Sequence, residues 1–233
     1  MNAESARDFG FHSEFGFPPR RFPESMLKTF AHELDERGVS HNRSAFQDNH
    51  AELAQTSGGS AEVTKIIFKP DRFILSHQNV EREGLVIFTQ KLEIVSRAVL
   101  EKLGVPVFTS QTHALRKLVT PRGGQDARLF LLEAVCGFDT RKRELLGRPL
   151  HGNGLRLTFG AVEATDPHEF DVKVESYFRD PRLLYIENQG RFHLPVVMQN
   201  LEVVPRNVDR TDDFLRVSVF PFLESFNTAG PGS

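Results

Sequence analysis

Apolar positions follow two rhythms along the chain, one helical and one alternating. From about Glu83 to Leu103, the residues Leu85, Phe88, Leu92, Val95, Val99 and Leu103 recur at three- and four-residue steps, the spacing of one helix face. Gly104 and Pro106 follow as stop signals, and the run predicts the clearest helix of the chain. Another helix is predicted from Pro23 to about Arg37, with Met26, Leu27, Phe30 and Leu34 as its stripe and Gly38 as its end. The run ARLFLLEAVC, with Asp126 as its cap, predicts a third. TRKRELLGRP (140–149) reads as a short basic helix or turn. A last helix is expected from Thr211 to Phe226, with Phe214, Leu215, Val219, Phe222 and Phe226 on one side and Pro221 kinking or restarting it.

Alternation predicts the strands. In FGFHSEFGF (9–17), Phe9, Phe11, Phe15 and Phe17 share one parity, so a strand there has one face full of phenylalanine. EVTKIIFK and RFILSH form a hairpin candidate around Pro70 and Asp71. VPVFTSQ and ALRKLVT read as one bent strand or two. GLRLTFGAVE, EFDVKVESYF, LLYIE and RFHLPV form an antiparallel meander, with RDPR and NQG as turns. In EFDVKVESYF, Phe170, Val172, Val174 and Phe178 are expected on the inner face. Residues 40–61 are polar, end in TSGGS, and predict a long flexible loop. The order of elements implies an α+β fold of two antiparallel-sheet halves, each with helices packed on one face. Residues 1–120 make the N-terminal half; residues 121–233 make the C-terminal half, with the meander and the last helix.

Composition narrows the functional classes. The chain has 233 residues, 39% of them apolar and 26% charged, enough to bury a core without disulfides or a structural metal. A net charge of −2 argues against a dedicated DNA-binding domain. The single cysteine, Cys136, rules out an internal disulfide, fits a reducing compartment, and reads as a small buried residue at the end of its apolar run. The N-terminus lacks the pattern of a signal peptide, and no apolar run is long enough to span a membrane, so a cytoplasmic protein is expected.

Catalytic signatures are sparse. Glu169, Asp171 and Glu175 alternate with core positions, which places them on a solvated face rather than in an acid–base pair. The nine histidines show no H-E-x-x-H spacing and there is no C-x-x-C, so neither a metal site nor a cofactor is expected. PRGGQDA does not match a phosphate-binding loop, and His151 in HGNG lacks an accompanying nucleophile elbow. An enzyme with a site between the halves is therefore the least favoured class.

Twenty-one phenylalanines stand against two tyrosines and no tryptophan. Phenylalanine gives area without a polar handle, so this is material for packing. Phe9, Phe11, Phe15 and Phe17, so near a terminus, are the candidate docking strand for another protein chain or a second copy. The leading expectation is thus a non-catalytic, oligomeric interaction or scaffold protein. The alternative is a module for nucleic acid or another anionic partner, using the basic segment with Arg116, Lys117, Arg122, Arg128, Arg141, Lys142 and Arg143. No stacking aromatics are interleaved with those cations, which ranks this reading second.

The order RFILSHQNVEREGLVIFTQKLEIVSRAVLEKLGVPVF, followed by LRLTF and FDVKVESYFRDPRLLYIENQGRF, resembles a sporadically distributed family of uncharacterised bacterial proteins of similar length. The resemblance covers about residues 62–226. It implies two α+β halves and brings no activity. Its patchy distribution suggests accessory or defence-linked roles. ALRKLVTP departs from the Arg–Gly–Leu–Arg stretch that such proteins tend to carry there.

Overall fold

The computed structural model describes residues 6–56, 61–80, 83–121, 126–162 and 167–226. Nine strands form one antiparallel sheet in the order β2-β3-β4-β5-β1-β6-β9-β8-β7. They are β1 (Arg7–Gly16), β2 (Arg43–Gln47), β3 (His50–Thr56), β4 (Val63–Lys69), β5 (Arg72–Gln78), β6 (Ser110–Val119), β7 (Gly154–Phe159), β8 (Glu169–Ser176) and β9 (Leu184–Phe192). The α+β class is as expected. The strands form a single sheet because β1 pairs with β6 along its length, from Gly16↔Ser110 to Arg7↔Leu118.

The helices are α1 (Glu24–Glu36), α2 (Leu85–Lys102), α3 (Ala127–Leu129), α4 (Thr140–Glu144), α5 (Val203–Phe214) and α6 (Phe220–Ser225). Leu27, Phe30 and Leu34 of α1 join Phe88, Leu92, Val95 and Val99 of α2 and Val204 and Val208 of α5 in one core against the sheet. Phe15, Phe73 and Phe108 form the aromatic centre of that core, with Phe15 stacked on Phe73 at 4.7 Å. The other face of the central strands carries charged and polar residues, as alternation requires of a sheet packed on one side.

Several expectations change on physical grounds. Within 40–61, β2 and β3 form a hairpin whose turn residue Asn49 has φ +62°. Ala51 and Leu53 are its buried positions, too few for a polar segment to announce a strand. NQG is not a turn but the middle of β9. Asn188 is fully buried and donates to the Thr211 carbonyl at 2.7 Å. Gly190 is required there because a Cβ would lie 2.5 Å from Thr211 Oγ1; it marks close approach of α5, the other meaning of a strand glycine. The last helix begins at Val203, earlier than expected, with Pro205 tolerated in its first turn. Cys136 is exposed: ARLFLLEAVC passes into a π-helical turn over Phe130–Val135, and within that turn only Phe130, Leu131 and Leu132 are buried.

Candidate functional site

A β-bulge between Asp8 and Gly10 decides what β1 presents. The extra residue reverses the side-chain parity on either side of it, a common use of bulges. Phe11 and Phe15 point into the core and are wholly buried, and Phe17 is 4% exposed. Asp8, before the bulge, reaches Lys117, which also contacts Asp212 of α5. Phe9 is turned to the opposite, helix-free face. There it meets Tyr177 and Tyr185 edge-on, with ring centroids 5.6 and 6.0 Å away.

These rings line a pocket of about 270 Å³ together with Asn79, Lys173, Glu175, Phe178 and Arg179. Its floor comes from β1, β8 and β9, and its rim from the β8–β9 turn. Phe178 lies beyond the end of β8, so strand parity no longer holds it inward, and it is 81% exposed. The Arg179 guanidinium lies over the Phe178 ring at 5.4 Å, and Lys173 Nζ over the Tyr185 ring at 6.0 Å. Lys173 also pairs with Glu175 at 3.0 Å.

A polar network backs the pocket. The Tyr185 hydroxyl donates to Glu187 Oε2 at 2.9 Å, and Arg116 Nε donates to the same oxygen at 2.5 Å. Burial raises the Tyr185 phenol pKa, and the Glu187 charge adds to it. Burial alone would raise the Glu187 carboxyl, but Arg116 holds it below its ordinary value. The neighbouring His12 imidazole is lowered by burial and then by the Arg116 charge.

The expected site residues are thus divided. Of the proposed docking strand, Phe11, Phe15 and Phe17 are covered by the chain's own helices, and Phe9 alone turns to the open face. A side chain buried in a central strand has no surface to offer a partner. The basic segment does not converge either. Arg116 is on the open face with Glu187, while Lys117 is on the helix face between two aspartates. Burial opposes the Lys117 charge, but the Asp8 hydrogen bond and the Asp8 and Asp212 charges hold its pKa above the ordinary value. Arg128 is engaged by Asp126, and Arg143 by Glu133. Arg141 and Lys142 sit on α4, none of whose residues is buried. Arg122 lies outside the described residues.

Tyr177, Tyr185, Lys173 and Arg179 were not singled out by the sequence. The available signal was that the only two tyrosines fall within one short stretch, YFRDPRLLY.

A second exposed feature is the sheet edge. β7 and β2 are the terminal strands. In β7, GLRLTF, Leu155 and Leu157 are only partly buried and Phe159 is 38% exposed. The α3–α4 segment packs against β7 through its π-helical turn. It leaves Leu145 82%, Leu146 53% and Leu129 43% exposed.

Two histidines are buried, His77 between two polar partners and His113 with one. His77 Nε2 lies 2.7 Å from Glu62 Oε1, and its Nδ1 lies 2.9 Å from Thr64 Oγ1. This is the connectivity of a hydroxyl–imidazole–carboxylate relay. Thr64 is 8% exposed, so its hydroxyl is buried with the imidazole in the core. Ser13 Oγ lies 2.8 Å from His113 Nδ1, and burial pushes the His113 pKa down to about 3, keeping it neutral.

No protein-family model matches the chain, and no curated protein matches it. No helix among the described residues is long and apolar enough to cross a membrane.

Proposed function

We propose that the protein is a non-catalytic interaction protein of the cytoplasm that assembles with a second copy of itself along β7. Its chain is read as two α+β halves, residues 1–120 and 121–233, whose strands share the one sheet. Membership of the two-part family described above belongs to the same proposal and carries no activity.

The observation that supports self-assembly is the half-exposed apolar row Leu155, Leu157 and Phe159 on a terminal strand. Strands of this kind pair readily unless charge, proline or brevity protects them. At the other edge, β2 is RSAFQ, with four of its five residues exposed and a single large apolar residue, Phe46. Pairing β7 with its own copy, antiparallel about Leu157, sets Leu155 opposite Phe159 and Arg156 opposite Thr158. Every apolar residue then faces the helix side, and no like charges meet. Centring on Arg156 instead would oppose two arginines. The exposed leucines of the α3–α4 segment supply apolar area beyond the strand, which a stable interface needs.

Thr158→Lys tests this, because it opposes lysine to the second copy's Arg156 while altering only an exposed position. Light scattering should give a mass of twice the 26.4 kDa chain for the native protein and a single chain for Thr158→Lys. Adding Arg156→Gln should restore the dimer. A monomeric native protein, or a dimer indifferent to Thr158→Lys, overturns the proposal.

A further inference from the structure

The pocket between Phe9, Tyr177, Tyr185 and Phe178 supports an inference independent of assembly along β7. We infer that it binds a planar aromatic ring carrying a phosphate or carboxylate, with the ring against Phe178 and the tyrosines and the anion at Arg179.

Four observations converge on this chemistry. The walls are aromatic, and Phe178 is 81% exposed while Tyr177 beside it is half-buried. Such a ring offers a stacking face whose use excludes water from apolar area. Arg179 has no carboxylate partner among the described residues; its guanidinium only overlies Phe178 at 5.4 Å. It is therefore a cation available to a ligand, whereas Lys173 is engaged by Glu175. Glu187 is taken up by Arg116 and the Tyr185 hydroxyl, so its charge is turned away from a bound anion.

A cationic ligand is disfavoured. Lys173 and Arg179 already bring two positive charges to the pocket walls, which repel a third. The volume of about 270 Å³ lies just under the range of about 300–1,000 Å³ for drug-sized ligands, which suits one ring and its charged group. The nucleobase with its phosphate and the aromatic carboxylate share this chemistry.

The two tyrosines are the chain's only strong near-ultraviolet fluorophores, since it has no tryptophan, and both line this pocket. Tyrosine emission therefore reports occupancy locally. The probes are uridine 5′-monophosphate and benzoate, each against its neutral counterpart, uridine and benzamide. They are titrated by calorimetry with absorbance-corrected tyrosine emission in parallel. At least one anion is expected to bind and to change the emission, more tightly than its neutral counterpart. Arg179→Ala and Phe178→Ala should each weaken it by about tenfold or more. Preference for uridine 5′-monophosphate identifies a nucleotide source, and preference for benzoate an aromatic acid. The inference is overturned if neither anion outbinds its neutral counterpart, or if both variants bind like the native chain. Both substitutions are at exposed positions, so loss of fold does not confuse the result.

Discussion

Phe15 is wholly buried and stacks flat on Phe73 at 4.7 Å, with Phe108 and His113 closing around it. Phe9, on the same strand, meets two tyrosines edge-on at the lip of a solvent-facing pocket. The difference arises from one inserted residue at the bulge rather than from residue type. On the helix side, phenylalanine is surrounded by other phenylalanines and aliphatic groups, and its role is area. On the open side, two tyrosines join Phe9 and Phe178, and cations lie over Tyr185 and Phe178, an arrangement suited to recognition. Most of the packed phenylalanine thus belongs to one face of the sheet, while both tyrosines lie on the other.

The sharpest way to break this contrast is truncation on each side. Phe15→Ala removes a fully buried ring from a close-packed cluster and should cost about 3–5 kcal/mol of unfolding free energy. Phe178→Ala removes a larger exposed fraction of aromatic surface, yet should stay within about 0.5 kcal/mol of native. Urea denaturation of the two variants gives both values. Equal losses would mean that Phe178 is structural and that the two aromatic populations are one.

Legibility in the sequence follows the same division. Helix α2 was readable because its stripe, glycine stop and proline agree. Strand β8 is readable because apolar and charged residues alternate in EFDVKV, and β4 and β5 because two apolar runs flank the Pro70–Asp71 turn. The bulge was not readable, since a count of parity runs straight through an inserted residue and groups Phe9 with Phe11. The only local hint was Gly10 inside the strand, where a Cβ would lie 3.2 Å from the His77 carbonyl. Glycine inside a strand signals bulge or close approach and does not say which. Gly190 misled in the same way: beside asparagine and glutamine it looked like a turn, while its real constraint is the α5 helix far away in sequence. The pocket was hidden because Lys173, Tyr185 and Phe9 come from three strands, and only the pairing brings them together.

Acid provides a second, smaller test, on the buried side. The folded chain holds His113 neutral down to about pH 3, whereas the unfolded chain protonates it near 6.5. The stability contributed by this histidine is whole above pH 6.5 and is lost as pH falls towards 3, because the unfolded state then binds the extra proton. Between pH 7 and pH 4.5 the loss should be on the order of 2–3 kcal/mol. Carboxylates such as Asp171, held low by the Arg156 hydrogen bond, add acid sensitivity of the same sign. His113→Gln, which keeps an acceptor for Ser13, should therefore reduce the slope of stability against pH without abolishing it. An unchanged slope would show that His113 is not held neutral by the core.

The smallest expected effect is spectroscopic and lies on the open side. Burial and the Glu187 charge both disfavour the Tyr185 phenolate, so its ionisation is displaced to higher pH than that of a free tyrosine. In a Tyr177→Phe background, Tyr185 is the only tyrosine, and absorbance near the tyrosinate band follows it alone. Glu187→Gln in that background removes the repelling carboxylate and leaves Arg116, whose charge favours the phenolate. The midpoint should then move down, towards the ordinary phenol value. A midpoint that stays in place would mean that burial alone sets it and that the Arg116–Glu187–Tyr185 network does not tune the pocket. Movement in the expected direction would tie the pocket wall to the Arg116–Glu187–Tyr185 network.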